Sequence, residues 1–196
     1  CIRDSSYSMQ SREQDAIEYI QSNVSDGQKV LCLVSGGVDS AVCAALLNKA
    51  LGAERVINLH VDHGFMRHEE SSGVKVALKA VGVHIEENPG AAELFATSTT
   101  VIDGRTTAPL AETTSPEEKR KIIGASFMRA TQQMVDERGL TADNVVLAQG
   151  TLRPDLIESA STAIKAANAA VIKTHHNDTA LVRQLRDAGR IIEPLK

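Results

Sequence analysis

The chain has 196 residues, enough for one domain with a sizeable buried core, and its formal net charge is −4. No run of Lys and Arg dominates, so the composition excludes a general nucleic-acid binder, which needs a basic face. No apolar stretch is long enough to cross a bilayer, and three cysteines without paired spacing predict a reducing, cytoplasmic location.

Short β-rich apolar runs alternate with segments of helical periodicity. In chain order the pattern predicts a helix at 13–23, a strand at 29–34, a helix at 39–51, a strand at 56–61, a helix at 69–81, a strand at 83–87, a short helix at 91–96, a long helix from Ser115, a strand at 145–148, a helix from Pro154, a strand at 169–173 and a helix at 179–188. This alternation predicts an α/β domain, built on a Rossmann-like parallel sheet flanked by helices.

The remaining segments show weaker patterns. Residues 1–12 are polar and Ser-rich, which predicts a linker ahead of a domain at 13–196. Residues 97–114 are Thr-rich without a clear period, which predicts a mobile loop. Ser115 to Glu118 reads as a capping box with Pro at the first helical position. The face of that helix predicted to be buried carries Ile123, Phe127, Ala130 and Met134.

The segment Ser35–Ser40 (SGGVDS) lies directly between the first predicted strand and the helix that follows it. Paired glycines let the backbone adopt positive φ and approach a ligand closely. The first N–H groups of a helix have no partner within it, and with the helix dipole they form an anion site. Ser35 and Ser40 add hydroxyl donors. The segment therefore predicts a phosphate-binding loop.

Asp39 indicates which kind of phosphate site the segment Ser35–Ser40 forms. The Lys of a Walker A loop is absent, and so is the GxGxxG of dinucleotide-binding folds. A carboxylate beside bound phosphates is repelled unless a cation lies between them, so Asp39 predicts a Mg²⁺ site. The alternative is a Gly-Gly turn in which Asp39 only begins the helix.

SGGVDS after a short apolar strand resembles the PP-loop of the N-type ATP pyrophosphatases. Within that superfamily the chain resembles the GMP synthetases, the eukaryotic type in particular, from about residue 29 to residue 196. The resemblance rests on four further segments, Val61–Arg67 (VDHGFMR), Thr113–Gly124 (TTSPEEKRKIIG), Leu147–Ser161 (LAQGTLRPDLIESAS) and Ile172–Asp178 (IKTHHND). It implies the adenine nucleotide alpha hydrolase-like form of the α/β fold.

The resemblance also implies a reaction. ATP, XMP and ammonia give GMP, AMP and pyrophosphate through an adenylyl-XMP intermediate. Adenylylation turns the C2 oxygen of XMP into a leaving group, and ammonia then attacks C2. Mg²⁺ neutralises the triphosphate and the departing pyrophosphate.

Family roles carry over to matching positions of this sequence. The resemblance implies ATP binding by Ser35, Gly36, Gly37, Val38, Asp39, Ser40 and Val61, with Asp39 also holding Mg²⁺. It implies catalytic roles for Asp39, Asp155, Glu158 and Lys173, the last as a phosphate-binding cation. It implies XMP binding by Arg120 and a lid loop formed by His175, His176 and Asn177.

Some of these residues also have structural interpretations. Arg120 belongs to a charged run that is typical of a solvated helix face. Asp155 and Glu158 share one helix face, and acidic residues in a first helical turn are also ordinary helix starts. Asp62, which follows the second strand, either contacts the nucleoside or caps the turn at Gly64.

The chain lacks parts that the family carries. No cysteine has a nucleophile-elbow setting, so ammonia is expected from a glutaminase domain upstream or on another chain. The C-terminal dimerisation domain, which implies a homodimer, is missing too, and residues 91–112 match poorly. Because the chain begins at Cys1 instead of Met, we expect a longer protein. The alternatives are another superfamily member such as NAD synthetase, or a non-catalytic adenine-nucleotide-binding domain.

Overall fold

The computed structural model describes residues 8–88, 90–150 and 180–195. Its helices are α1 Met9–Asn23, α2 Val38–Leu51, α3 Glu70–Ala80, α4 Ala91–Thr97, α5 Pro116–Glu137 and α6 Ala180–Asp187. Its strands are β1 Lys29–Leu33, β2 Val56–His60, β3 Glu86–Glu87, β4 Val101–Ile102, β5 Arg105–Thr106, β6 Val145–Ala148 and β7 Ile191–Ile192. The helix predicted from Pro154 and the strand predicted at 169–173 lie outside the described residues.

Five of these strands form one parallel sheet in the order β3-β2-β1-β6-β7. From β1 the chain builds outward through β2 to β3, and later strands are added on the other side of β1. The order therefore reverses between β1 and β6. In open α/β sheets, ligands bind at this reversal, outside the carboxyl ends of the strands. The predicted α/β class with a Rossmann-like parallel sheet is confirmed.

Two apolar clusters cover the two faces of the sheet, because successive side chains of a strand point to opposite sides. In β1, Val30 and Cys32 join the cluster beside α1 and α2, whereas Leu31 joins the cluster beside α4 and α5. Val30, Leu31 and Cys32 are at most 1% exposed. A central strand buried on both faces explains the unbroken apolar run that identified it.

Helix α1 begins earlier than the sequence predicted. Met9 to Arg12 are helical, so the predicted linker at 1–12 is wrong for those residues. Ser8 accepts a hydrogen bond from the Ser11 backbone, and the Ser11 hydroxyl interacts with the backbone of Ser8 in return. This reciprocal cap uses Ser where the usual motif has Glu or Gln, so it has no strong sequence signature.

Residues 97–114, predicted to be a mobile loop, contain the antiparallel hairpin β4–β5. Asp103 and Gly104 form its turn with φ of 50° and 78°. Leu110 and Thr107 are buried at 3% and 4% exposure. Strands of two residues are too short to produce a periodic signal, which explains the wrong prediction.

The boundaries of other elements also differ from those predicted. Strand β2 ends at His60 instead of Val61, and β3 covers only the last two residues of 83–87. Val83 and Ile85 are buried by packing without pairing as strand. On α5, Ala130 and Met134 are buried as predicted, Ile123 and Phe127 are partly buried, and Ile122 is fully buried.

Gly73 offers a test of the helix assignment. It lies exposed inside α3, and a Cβ placed on it would meet no atom within 4 Å. We expect Gly73→Ala to raise the free energy of unfolding by about 0.5–1 kcal/mol, because Ala loses less backbone entropy on folding. Urea denaturation measures the change.

The matched control is Gly27→Ala, which also meets open space but at φ of 82°. An L-residue is strained at that φ, so this variant should be less stable than the unmodified chain. Equal effects of the two substitutions would contradict the assigned backbone conformations.

Candidate functional site

The turn from β1 into α2 forms the centre of the candidate site. Gly36 adopts φ of 93°, and Gly37 is the N-cap of α2 without a side-chain cap. Among the described residues, the N–H groups of Val38, Asp39 and Ser40 have no hydrogen-bond partner. Ser35 and Gly37 are exposed, and Val38 is 73% exposed. The turn therefore presents unpaired amide donors to solvent at the reversal point of the sheet.

Ser40 braces this turn from within. Its hydroxyl donates to the Gly37 carbonyl at 2.9 Å and accepts from the Ser35 backbone N–H at 3.2 Å. The Ser35 and Ser40 hydroxyl oxygens are 3.3 Å apart. In this conformation the Ser40 hydroxyl hydrogen is used inside the turn, so the main-chain amides are the donors available to a ligand.

Two glycines let neighbouring segments approach the turn. A Cβ on Gly150, just past β6, would lie 3.0 Å from the carbonyl oxygen of Asp39 and 3.2 Å from the Ser40 nitrogen. A Cβ on Gly36 would lie 3.0 Å from the terminal methyl of Met66. The segment after β6 and the segment after β2 therefore both close on the same turn.

Asp39 stands in the first turn of α2 and is partly buried. Its carboxylate makes no hydrogen bond or ion pair with the described residues, and among them no cluster of three metal-ligating side chains forms. Mg²⁺ in nucleotide sites is held through one or two carboxylates together with phosphate oxygens. An unpaired carboxylate beside a turn with unpaired main-chain N–H groups has the chemistry to hold that ion.

In the segment after β2, the observed contact of Asp62 agrees with the turn cap. Its Oδ1 accepts from the Gly64 N–H at 3.1 Å, so Asp62 caps this turn. The Gly64 N–H lowers the pKa of Asp62. The Val61 side chain is 5% exposed and belongs to the core, so only its main chain is available to a nucleotide.

In the segment after β2, the ring of His63 lies beside two phenylalanine rings. His63 lies 5.8 Å from Phe65 and 5.6 Å from Phe95, between ring centroids. Phe95 is fully buried, whereas Phe65 is 55% exposed. Burial lowers the pKa of His63, and the charge of nearby Asp62 opposes that shift. His63 is therefore a mainly neutral ring at pH 7.

Arg120 lies on the exposed surface of α5, where its guanidinium contacts Glu117 at 2.9 Å. This arrangement agrees with a solvated helix face. Only half of the predicted capping box forms, because Ser115 accepts from the Glu118 N–H while the Glu118 carboxylate pairs with Arg105. The other predicted site residues, Asp155, Glu158, Lys173, His175, His176 and Asn177, lie outside the described residues.

Sequence reasoning missed two residues of this site. Met66 contacts the turn through Gly36, and His60 hydrogen-bonds to the main chain where the turn begins. Met66 gave no signal, since its position follows from the path of the segment after β2. His60 gave one, because it is an imidazole in a mainly apolar strand and must find hydrogen-bond partners when buried.

Comparison with known proteins identifies the family of this fold. Residues 9–123 match the family described as NAD synthase. The chain belongs to this family of PP-loop ATP pyrophosphatases. The family match covers the exposed turn, the segment after β2 and the start of α5.

Two curated relatives are named as GMP synthases. The glutamine-hydrolysing GMP synthase of Dictyostelium discoideum is 57% identical over 196 residues, which is 100% of this chain and 27% of the relative. A probable GMP synthase of Caenorhabditis elegans is 50% identical over 97% of this chain and 25% of its own length. The chain thus spans about a quarter of the length of these relatives.

A solved structure of this family shows the same fold. The NH3-dependent NAD synthetase from Campylobacter jejuni, in complex with nitrate, aligns with a TM-score of 0.55. The alignment covers 79% of this chain and 61% of that protein at 19% identity. Within the described ranges, no helix is long and apolar enough to span a membrane.

A substitution at Gly150 tests how closely the segment after β6 packs against the turn Ser35–Ser40. In Gly150→Ala, the added methyl would meet the Asp39 carbonyl and the Ser40 nitrogen, which belong to the backbone and yield only by moving the turn. We expect the free energy of unfolding to fall by about 1–3 kcal/mol, as in other overpacked sites. Urea denaturation beside the Gly73→Ala control measures it. A Gly150→Ala variant as stable as that control would refute the close approach.

His63 tests the electrostatics of the segment after β2. We expect its imidazole to titrate below its ordinary pKa of 6.5, because burial disfavours the charged ring. The unfolded chain then takes up this proton at higher pH than the folded chain, so stability falls as the pH drops below about 6.5. Histidine NMR titration measures the midpoint.

Asp62→Asn supplies the matched control for that titration. Removing the carboxylate charge removes an interaction that raises the pKa of His63, so the midpoint should fall further. A midpoint at or above 6.5 in the unmodified protein, or a rise in Asp62→Asn, would contradict the described surroundings of His63.

Proposed function

We propose that this chain is the ATP pyrophosphatase part of a GMP synthetase, a ligase of purine nucleotide biosynthesis in the cytoplasm. XMP, ATP and ammonia would give GMP, AMP and pyrophosphate. The observation that carries the proposal is the exposed turn Ser35–Ser40, with its unpaired amides and Asp39. The 57% identity to a relative named GMP synthase supports the choice of substrate.

The turn has the chemistry that ATP cleavage between the α and β phosphates requires. The C2 oxygen of XMP attacks the α phosphorus, and the bond from the α phosphorus to the bridging oxygen breaks. The pyrophosphate leaves with that bond's electron pair, so negative charge grows on it. The N–H groups of Val38, Asp39 and Ser40 are oriented by helix α2 before the substrate arrives, and they stabilise this charge at no cost in reorganisation.

The second half of the reaction exchanges the activated oxygen for nitrogen. Ammonia attacks C2, AMP departs with the oxygen, and the nitrogen loses one proton to give the amino group of GMP. We propose that Asp39 would hold the Mg²⁺, which when bound neutralises phosphate charge. Lys173 would add a cationic phosphate contact, and Asp155 and Glu158 would act on Mg²⁺ or the purine.

The remaining roles concern substrate and partners. We propose that Arg120 releases Glu117 and reaches the phosphate of XMP, and that His175, His176 and Asn177 form a lid. Ammonia would come from a glutaminase domain on the same or another chain. A homodimer formed through a C-terminal domain would complete the XMP site.

NAD synthetase is the second candidate function. It is favoured by the matching family description and by the structural likeness to the Campylobacter jejuni enzyme. Substrate exchange separates the two candidates. Pyrophosphate release with XMP and ammonia supports GMP synthesis, whereas release only with nicotinate adenine dinucleotide supports NAD synthesis.

Asp39→Ala tests the metal assignment. In the full protein, assayed with ATP, XMP and ammonium, we expect pyrophosphate release to fall at least about a thousandfold. Without the Asp39 carboxylate, Mg²⁺ would no longer be held where it stabilises the negative charge of the departing pyrophosphate. The circular dichroism spectrum should be unchanged, since this carboxylate makes no hydrogen bond or ion pair with the residues that the structure describes.

Asp15→Ala is the matched control. It removes the same charge from the exposed surface of α1, away from the turn, and should retain full activity. If Asp39→Ala released pyrophosphate at the rate of the Asp15→Ala variant, the metal assignment would be removed. If the unmodified protein released none with either substrate, the non-catalytic nucleotide-binding alternative would take its place.

A further inference from the structure

His60 is a fully buried histidine at the end of β2, with 0% exposure. Its Nδ1 lies 2.7 Å from the Val34 carbonyl oxygen, and its Nε2 lies 3.0 Å from the Ser71 hydroxyl. A carbonyl oxygen only accepts hydrogen bonds, so Nδ1 carries the hydrogen. In the neutral ring, Nε2 then accepts the hydrogen of Ser71.

The Val34 carbonyl belongs to the peptide unit that opens the phosphate-binding turn. The N–H of the same peptide, on Ser35, donates to the Ser40 hydroxyl at 3.2 Å. His60 and Ser40 thus hold the two edges of one peptide plane. The Val34 N–H, which donates to Leu59 at 2.8 Å, continues the β1–β2 ladder up to that plane.

The other nitrogen of His60 connects the turn to α3. Ser71 is in the first turn of that helix and is 8% exposed. Val74, less than one turn further on, would lie 3.5 Å from a Cβ on Gly36. His60 therefore joins the entrance of the turn to the helix that packs against its glycine.

We propose that His60 is a positioning residue that holds the Val34–Ser35 peptide, and with it the phosphate-binding turn, in the orientation that exposes its amides. This inference rests on the proposed ATP chemistry. His60 acts through the main chain and does not touch the substrate. Its loss would weaken ATP binding at the turn while leaving the XMP site unaffected.

Three substitutions separate the two hydrogen bonds. The amide nitrogen of His60→Asn stands near Nδ1 and can still donate to Val34. His60→Gln reaches toward Ser71 instead and leaves the carbonyl without a donor. His60→Phe fills the space and makes neither bond.

The assay is pyrophosphate release by the full protein with ATP, XMP and ammonium, with calorimetric titration of ATP as a direct binding readout. We expect the KM and the Kd for ATP to rise about tenfold in His60→Gln and His60→Phe, the scale of an unsatisfied buried carbonyl. The KM for XMP should stay within about twofold. His60→Asn should keep the KM for ATP within about threefold of the unmodified protein.

An unchanged KM for ATP in His60→Gln would overturn the proposal. So would equal rises in the KM for ATP and for XMP, which would indicate a general loss of structure. If His60→Phe does not fold, the KM for ATP of His60→Asn compared with that of His60→Gln still tests the proposal. If the unmodified protein binds ATP but releases no pyrophosphate, the proposed function fails, and the calorimetric Kd values alone test His60.

Discussion

The chain must leave a buried central strand and begin a helix within four residues, passing closely between two neighbouring segments. Gly36 allows the tight turn because it adopts a positive φ and has no side chain that would meet Met66. Gly150 allows the close packing because it has no side chain that would meet the Asp39 backbone. The first amides of α2 have no acceptor within the helix, and among the described residues they have no other hydrogen-bond partner. The anion site that we propose would follow from this backbone geometry.

The sheet determines where this turn meets its partners. The strand order reverses beside β1, so the segments after β1, β2 and β6 meet at one edge. Two apolar clusters, one on each face, hold β1 in place and leave its carboxyl end little freedom. The Ser40 hydroxyl, which accepts from the Ser35 N–H, and His60, which donates to the Val34 carbonyl, then hold the first peptide of the turn. Core packing sets the position of the site, and a few polar contacts set its conformation.

The sequence predicted those features that depend on local pattern. Apolar runs identified the buried strands β1, β2 and β6, because strands buried on both faces are rich in Val, Ile and Leu. The turn between β1 and α2 was predicted because its two glycines are consecutive in the sequence, and the structure places Gly36 at a positive φ; the roles of Ser35–Ser40 toward ATP stay a prediction. The hairpin β4–β5 was missed because its two-residue strands are stabilised by pairing instead of by periodicity.

Contacts between distant segments were also beyond the sequence. The approach of Gly150 to Asp39 and the bond of His60 to Val34 depend on strand order, which no local pattern states. Asp62 allowed two interpretations from sequence, and its hydrogen bond to Gly64 favours the turn cap. For Arg120 the observed partner is Glu117, and its role toward XMP stays a prediction.

The most direct measurement is a crystal structure with Mg²⁺ and an ATP analogue whose bridge between the α and β phosphates cannot be cleaved. Our account predicts the β and γ phosphates within hydrogen-bond distance of the N–H groups of Val38, Asp39 and Ser40. The Asp39 carboxylate should lie against the metal. A nucleotide bound at another edge of the sheet, with this turn facing empty solvent, would contradict the account.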